Sequence, residues 1–173
     1  IPGLSERFIL MNDDFIITGR VSPEDFFQGE KTVCYAKMYP TWWARLMRAL
    51  RPSKKGHKRI SFKDSMVNAV DIMGGCGRFM FLGHTPRALR KSFYETFFSS
   101  REDVMIRNIR HRFRHYDQYN SQELFYISES KKGRCIVIDT DSRLIYLKPK
   151  NKKGYIDRKL AMFDNRADTV FCC

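Results

Sequence analysis

The sequence predicts an α/β fold, and three patterns carry that expectation. Short apolar runs of strand character alternate with segments whose apolar residues recur at helical spacing. Several of those segments open on helix-start signals. Hydrophobic residues fill 43% of the 173 positions, enough for one domain with a substantial core.

Phe8, Ile9 and Leu10, then Phe15, Ile16 and Ile17, predict strands over 7–12 and 15–18. Ser22 followed by Pro23, Glu24 and Asp25 combines an N-cap, a first-position proline and acids in the first turn, which predicts a helix. Thr32 to Lys37 is expected as a strand. Thr41 is expected to cap a basic amphipathic helix through Trp42, Trp43, Leu46 and Leu50, followed by an exposed basic linker from Arg51 to Arg59. Ser61 with Asp64 resembles a capping box and opens a helix through Met66, Val67 and Val70. Gly74-Gly75-Cys76-Gly77 stops it. With Arg78 that run has the backbone freedom to approach a phosphate, but it fits no phosphate-loop pattern, and a helix stop is the simpler reading.

Thr85-Pro86 predicts another helix start, with Leu89, Phe93 and Phe97 every four residues along one face. Ser100 and Asp103 offer a cap for a helix through Val104 and Ile109, and a further helix is expected near 120–129. Cys135–Ile138 and Leu144–Leu147 flank Asp139-Thr140-Asp141-Ser142 and predict a hairpin. Tyr155 to Phe163 is expected as a helix and Thr169 to Cys173 as a strand. The Ile1 start and the strand-like Val170-Phe171-Cys172-Cys173 end suggest that the single domain, 1–173, is a fragment of a larger one.

The net charge of +13 and pI near 9.7 point to anionic partners: nucleic acid, a membrane surface, or phosphorylated or acidic saccharides. Five cysteines, at 34, 76, 135, 172 and 173, show no zinc-type spacing, and their odd count favours a reducing compartment. There is no signal peptide, no apolar run of membrane-spanning length and no internal repeat.

The candidate chemistry begins at Arg7-Phe8-Ile9-Leu10-Met11-Asn12-Asp13-Asp14-Phe15, where an apolar strand ends in an amide and two carboxylates. In α/β enzymes the carboxyl end of a strand is where catalytic groups are displayed. Adjacent like charges need a cation or a ligand to offset them. The other reading is a simple Asn-Asp turn. Asp13 and Asp14 can hold a divalent cation against a diphosphate, or one of them can accept a proton from an acceptor hydroxyl; Asn12 would orient either arrangement. His84, set before the expected Thr85 cap, would exchange a proton beside an anion at the helix start. Arg107, Arg110, Arg112 and Arg114 cluster with His111 and His115, and arginine pairs bidentately with phosphate. Arg87, Arg90 and Lys91, on the first turns of the helix after His84, would widen the anion site. The Trp42/Trp43 helix and its basic linker suit either an anionic membrane surface or packing against the sheet.

Ile1-Pro2-Gly3-Leu4-Ser5-Glu6-Arg7-Phe8, Asn12-Asp13-Asp14-Phe15 and Val21-Ser22-Pro23-Glu24-Asp25-Phe26-Phe27 closely resemble the second conserved region of the Stealth family of sugar-phosphate transferases. That family includes bacterial capsular polysaccharide phosphotransferases and the lysosomal-enzyme N-acetylglucosamine-1-phosphotransferase. Gly83-His84-Thr85-Pro86 with Arg87 and Lys91 resembles the start of its third region, and Phe113-Arg114-His115 the motif that closes it. The likeness is strong over residues 1–120 and loose over 121–173.

It implies a nucleotide-sugar-transferase-like (GT-A/Rossmann-like) mixed sheet with flanking helices. The activity implied is transfer of a hexose-1-phosphate, with UDP-N-acetylglucosamine as the suggested donor, to a saccharide hydroxyl. Asp14, His84 and Arg114 are the catalytic residues on this reading, and Asn12, Asp13, Arg87 and Lys91 bind substrate. Mg²⁺ or Mn²⁺ is expected on Asp13 and Asp14, and a cytoplasmic location at the inner face of the membrane. The family's upstream donor-binding region has no counterpart in this sequence. An ordinary glycosyltransferase would use similar acids. A nucleic-acid-binding module would explain the charge, but carboxylates at a binding centre repel phosphate.

Overall fold

The computed structural model describes residues 2–51, 61–75, 77–147, 153–165 and 169–173. Nine strands and six α-helices lie within them: β1 (Arg7–Leu10), β2 (Ile16–Ile17), β3 (Phe27–Gln28), β4 (Lys31–Pro40), α1 (Thr41–Ala49), α2 (Phe62–Ile72), β5 (Arg78–Leu82), β6 (Arg87–Arg90), α3 (Lys91–Ser100), α4 (Glu102–Ile109), α5 (Ser121–Lys131), β7 (Cys135–Ile138), β8 (Leu144–Ile145), α6 (Tyr155–Asn165) and β9 (Phe171–Cys172). The fold is mixed α/β, and its strands divide among three sheets rather than one. β4 is the trunk of the largest: it pairs antiparallel with β3 and β5 and parallel with β7. β1 and β6 form an antiparallel pair, and β9 lies between β2 and β8.

Two apolar cores follow from this arrangement. The larger joins Cys34, Ala36, Phe79, Met80 and Leu82 of the central strands to Met66, Val67 and Val70 of α2 and to Leu124, Phe125 and Ile127 of α5. The smaller gathers Phe26, Val33, Tyr35, Ala88, Val170 and Phe171. Phe171 is its hub, with its ring edge-on to Tyr35 at 5.3 Å and tilted against Phe26 at 6.3 Å.

Local signals hold in several places. Ser61 and Asp64 form the expected capping box, with the Ser61 N–H donating to Asp64 Oδ2 at 2.7 Å. Burial would raise the Asp64 pKa, but Arg51 and the Ser61 amide reverse that, and the net shift is downward. Gly74 and Gly75 end α2 in the left-handed region, at φ 84° and 70°, where a side chain would be strained. The helices α5 and α6 fall where expected.

Other expectations are corrected. Residues 87–90 form a strand, not the first turns of a helix, because they pair with β1 from Arg7↔Arg90 to Leu10↔Arg87 and bury Ala88 and Leu89. The helix starts at Lys91, so His84 does not stand at a helix N-terminus. The four-residue apolar spacing survives only as Phe93 stacked on Phe97 at 5.3 Å. Strand β5 was not anticipated. The expected 135–147 hairpin does not form: β7 pairs with β4 and β8 with β9, so each strand finds a distant partner. The Ser22 start yields one 3-10 turn, Pro23–Asp25, because Phe26 is drawn into the second core and Phe27 into β3. Pro40, not Thr41, occupies the N-cap of α1. Arg101 occupies the N-cap of α4; Ser100 ends α3, its hydroxyl 3.0 Å from both the Thr96 and the Phe97 carbonyl. Beyond Arg51 the basic linker lies outside the described residues, as does Cys76. Among the described residues no helix is long and apolar enough to cross a membrane.

One buried acid ties the main sheet to its covering helix. Glu123, 0% exposed, accepts the backbone N–H of Met80 in β5 at 2.6 Å. Burial pushes its pKa up to about 8, against the lowering effects of the Met80 N–H and Arg87. The folded protein therefore holds this proton up to about pH 8, whereas the unfolded chain releases it near pH 4.3. Its contribution to stability is present below pH 4 and is lost as pH rises to about 8. Glu123→Gln keeps the acceptor and removes the titration, so the fall in Tm between pH 5 and 8 is expected to be shallower than in wild type; identical Tm–pH curves would refute this role.

Candidate active site

Three strand registers converge on one point. Leu10 pairs with Arg87, so the turn that follows β1 lies beside the loop that precedes β6. This sets Asp14, four residues beyond Leu10, against His84, three residues before Arg87. Ile16 pairs antiparallel with Cys172, which places Cys173 alongside Phe15. Ile145 pairs with Cys172 in parallel, so Tyr146 advances beside Cys173 and over the histidine ring.

The contacts are close. His84 Nδ1 lies 3.6 Å from Asp14 Oδ2 and 3.2 Å from Cys173 Sγ. The Cys173 thiol donates to Asp14 Oδ2 at 3.7 Å. Phe15, buried, meets the imidazole edge-on at 5.8 Å, and Tyr146 packs against it at 5.0 Å. Burial and then the Asp14 carboxylate push the Cys173 pKa up to about 11, so it is a protonated thiol near neutrality. Its single proton goes to Asp14 or to His84, not to both. With that proton on Asp14, His84 donates Nδ1–H to sulphur and keeps an unshared pair on Nε2. The side chains of His84 and Asp14 are 45% and 52% exposed, so a substrate can reach both.

The turn reading of the acidic run is the one the backbone displays. Asp13 and Asp14 form a turn, with the Phe15 N–H donating to Asn12 O at 3.3 Å, and the turn delivers Asp14 to the histidine. Asn12 and Asp13 are exposed. Asp13 is outside the group of ligand-type atoms from Asp14, His84 and Cys173, which lie within 4.8 Å of one another. Magnesium takes oxygen ligands, whereas nitrogen and sulphur suit softer ions. Of these three groups only the Asp14 carboxylate offers the oxygen ligand that Mg²⁺ takes.

The expected cations are distributed differently. Arg87 is half-buried at the start of β6 and donates to Gly83 O at 2.9 Å. Burial pulls its pKa down from the ordinary value, but it remains charged. It braces the His84 loop from behind. Arg90 is buried in β6 and donates to Glu30 O at 2.9 Å. Lys91 pairs with Glu95 at 3.5 Å along α3. Arg114 is exposed in a hollow lined by Ser61, Phe62, Ser65, Gln118 and Tyr119, a different set from the residues around His84. Arg107 and Arg110 are tied to Asp117, through its carbonyl and its carboxylate respectively. Cys173 and Tyr146 were not foreseen as site residues; only the long-range pairing of β9 brings them in.

A comparison with models of known protein families finds no match for this chain, and a search of curated proteins finds none either.

Gly83 controls how closely the loop before β6 approaches the 140–142 turn. A Cβ at this position would lie 2.4 Å from Thr140 Cγ2, a buried β-branched side chain with no room to give. Gly83→Ala is expected to cost ~1–3 kcal/mol in urea unfolding. Adding Thr140→Ala is expected to restore most of the loss; failure of the double variant to recover would place the strain elsewhere.

Proposed function

We propose that this chain is part of the catalytic domain of a Stealth-type sugar-phosphate transferase, with a nucleotide-sugar-transferase-like sheet. It transfers a hexose-1-phosphate, with N-acetylglucosamine-1-phosphate as the first candidate, from a UDP-sugar to a saccharide hydroxyl. The observation that carries this reading is the juxtaposition of Asp14 and His84, 3.6 Å apart, by the pairing of β1 with β6. These two residues come from the two separate motifs that carry the family resemblance. An imidazole with a carboxylate beside it is an arrangement suited to proton abstraction.

In the proposed reaction the acceptor hydroxyl loses its proton to His84 Nε2 as its oxygen attacks the phosphorus bonded to the sugar. The bond from that phosphorus to the UMP oxygen breaks, UMP leaves, and a phosphodiester results. Cys173 accepts the Nδ1–H of the imidazole, and the Asp14 carboxylate, 3.6 Å away, stabilises the imidazolium that forms. Mg²⁺ on the Asp14 carboxylate would neutralise charge on the diphosphate. Arg114, in its separate hollow, is assigned to an outlying anionic part of donor or acceptor. Trp42, Trp43, Leu46 and Leu50 are exposed along α1 beside a Lys/Arg-rich sequence, which favours peripheral contact with an anionic membrane.

The intact protein, given Mg²⁺, UDP-N-acetylglucosamine and a short capsular oligosaccharide, is expected to produce a phosphodiester signal by phosphorus NMR with release of UMP. Release of UDP with no phosphodiester would mean ordinary glycosyl transfer. His84→Ala and Asp14→Ala are each expected to lower kcat by about 10²–10⁴-fold. Both side chains are about half exposed, so Tm should stay close to wild type. Unchanged turnover in both variants would reduce the pair to a structural turn.

A further inference from the structure

We propose that His111, His115 and Asp117 form a site for a transition-metal dication, with zinc as the best fit, which clips together the loop that carries Arg114. This inference does not depend on the transferase reading, because the site shares no residue with the Asp14–His84 pair.

The three ligand-type atoms lie close together. His111 Nε2 lies 2.8 Å from Asp117 Oδ1, and His115 Nδ1 hydrogen-bonds the same oxygen. All three atoms fall within 4.8 Å of one another. Ligand atoms around a tetrahedral zinc lie about 3.3 Å apart, so an ion enters as the two rings unstack and turn their nitrogens toward the Asp117 oxygen. The imidazoles stack at 3.8 Å with 12° between their planes, one behind the other on the same carboxylate. Two imidazoles and a carboxylate suit zinc and its neighbours rather than magnesium or calcium, and three protein ligands leave a fourth position for water.

Protons alone do not satisfy the cluster. Nε2 of His111 faces both Asp117 Oδ1 at 2.8 Å and the Nε–H of Arg110 at 3.1 Å. If it carries a proton, it opposes the Arg110 donor; if it carries a lone pair, it opposes the carboxylate. A dication between the three atoms satisfies both rings and the carboxylate together. Arg110 then gives up its contact with the ring and keeps its pair with Asp117 Oδ2, as an outer contact that orients the ligand.

The scaffold is held in advance. The Asp117 carbonyl accepts from Arg107 Nε at 2.9 Å, and Asn108 receives both the Gln118 side chain, at 2.8 Å, and the Tyr119 N–H, at 3.0 Å. His115 N–H donates to Gln118 Oε1 at 2.8 Å. The ligand side chains are 19%, 36% and 13% exposed, sheltered but open to an ion from solvent. Arg112, Phe113 and Arg114 are the exposed tip between the two histidines. Closing the ring at His111 and His115 fixes where that tip stands.

The test uses the intact protein, stripped with a chelator and titrated with Zn²⁺ against a chromophoric competitor. Co²⁺ provides a visible-absorption readout of coordination. An equivalent that persists in Asp14→Ala, where the Asp14–His84–Cys173 group is broken, is expected to bind, to raise Tm, and to be weakened at least about tenfold by His111→Ala and by Asp117→Ala. His111→Gln, checked by circular dichroism and by its Tm in chelator, serves as the folded control if Asp117→Ala proves unstable. Absence of stoichiometric binding in Asp14→Ala, or binding in that background that survives a further His111→Gln, would each overturn the proposal. The metal titration is read independently of sugar-phosphate transfer, which the phosphorus NMR assay reports separately.

Discussion

A buried strand needs a partner for every backbone amide and carbonyl along its length, and β4 places that demand on the whole molecule. Its first half is sealed from water, from Thr32 at 0% exposed to Ala36 at 2%. Residues 32–35 meet β7 in parallel, while 36–40 meet β5 antiparallel. The partners thus arrive from sequence both near and far. Pairing leaves the Met80 amide of β5 inside the core, and the protonated acid of Glu123 meets it from α5. The helix is consequently buried along most of its length, from Glu123 to Glu129. At its far end Glu129 is neutralised by Arg134 at 2.7 Å, within reach of Arg90 at 3.9 Å. Acids at both ends of α5 are therefore part of how the sheet is closed.

The proposed site lies outside this trunk, on the two smaller sheets, and its geometry is inherited from them. Asp14 and His84 meet because β1 and β6 hold a fixed register; a slip of one residue would turn each strand's faces over and separate the pair. Phe171 does the same for β9 by locking into the second core, so that Cys173 lands beside Asp14. Apolar packing at Phe171 thus sets the distances among Asp14, His84 and Cys173.

Legibility followed the range of the interactions. The Ser61 capping box, the glycine stop after α2 and the helix α5 are decided within a few residues, and the sequence displays them. The segment after His84 misled for a physical reason: Thr85-Pro86 and the spacing of Leu89, Phe93 and Phe97 satisfy a helix pattern, yet Leu89 answers to strand pairing and only the phenylalanines to α3. The 135–147 segment has a hairpin's local form, but β4 and β9 offer better partners to its two halves. Asp14 and His84 were visible because motif words surround them. Cys173 was not, since a cysteine ending a short apolar run carries no local sign of what it will face.

The thiol–carboxylate contact joins residues 159 positions apart. Loops of that size close slowly, because their entropy is lost before any contact compensates it. A ribosome must therefore deliver nearly the whole of this stretch before the pocket around His84 has its third wall. During that interval β2 lacks its partner, and Ile16 and Ile17, exposed by 61% and 40% even in the finished fold, present an open strand edge to the cell. Chaperone demand and exposure to proteases should be greatest in that window of synthesis, and should end when Phe171 docks.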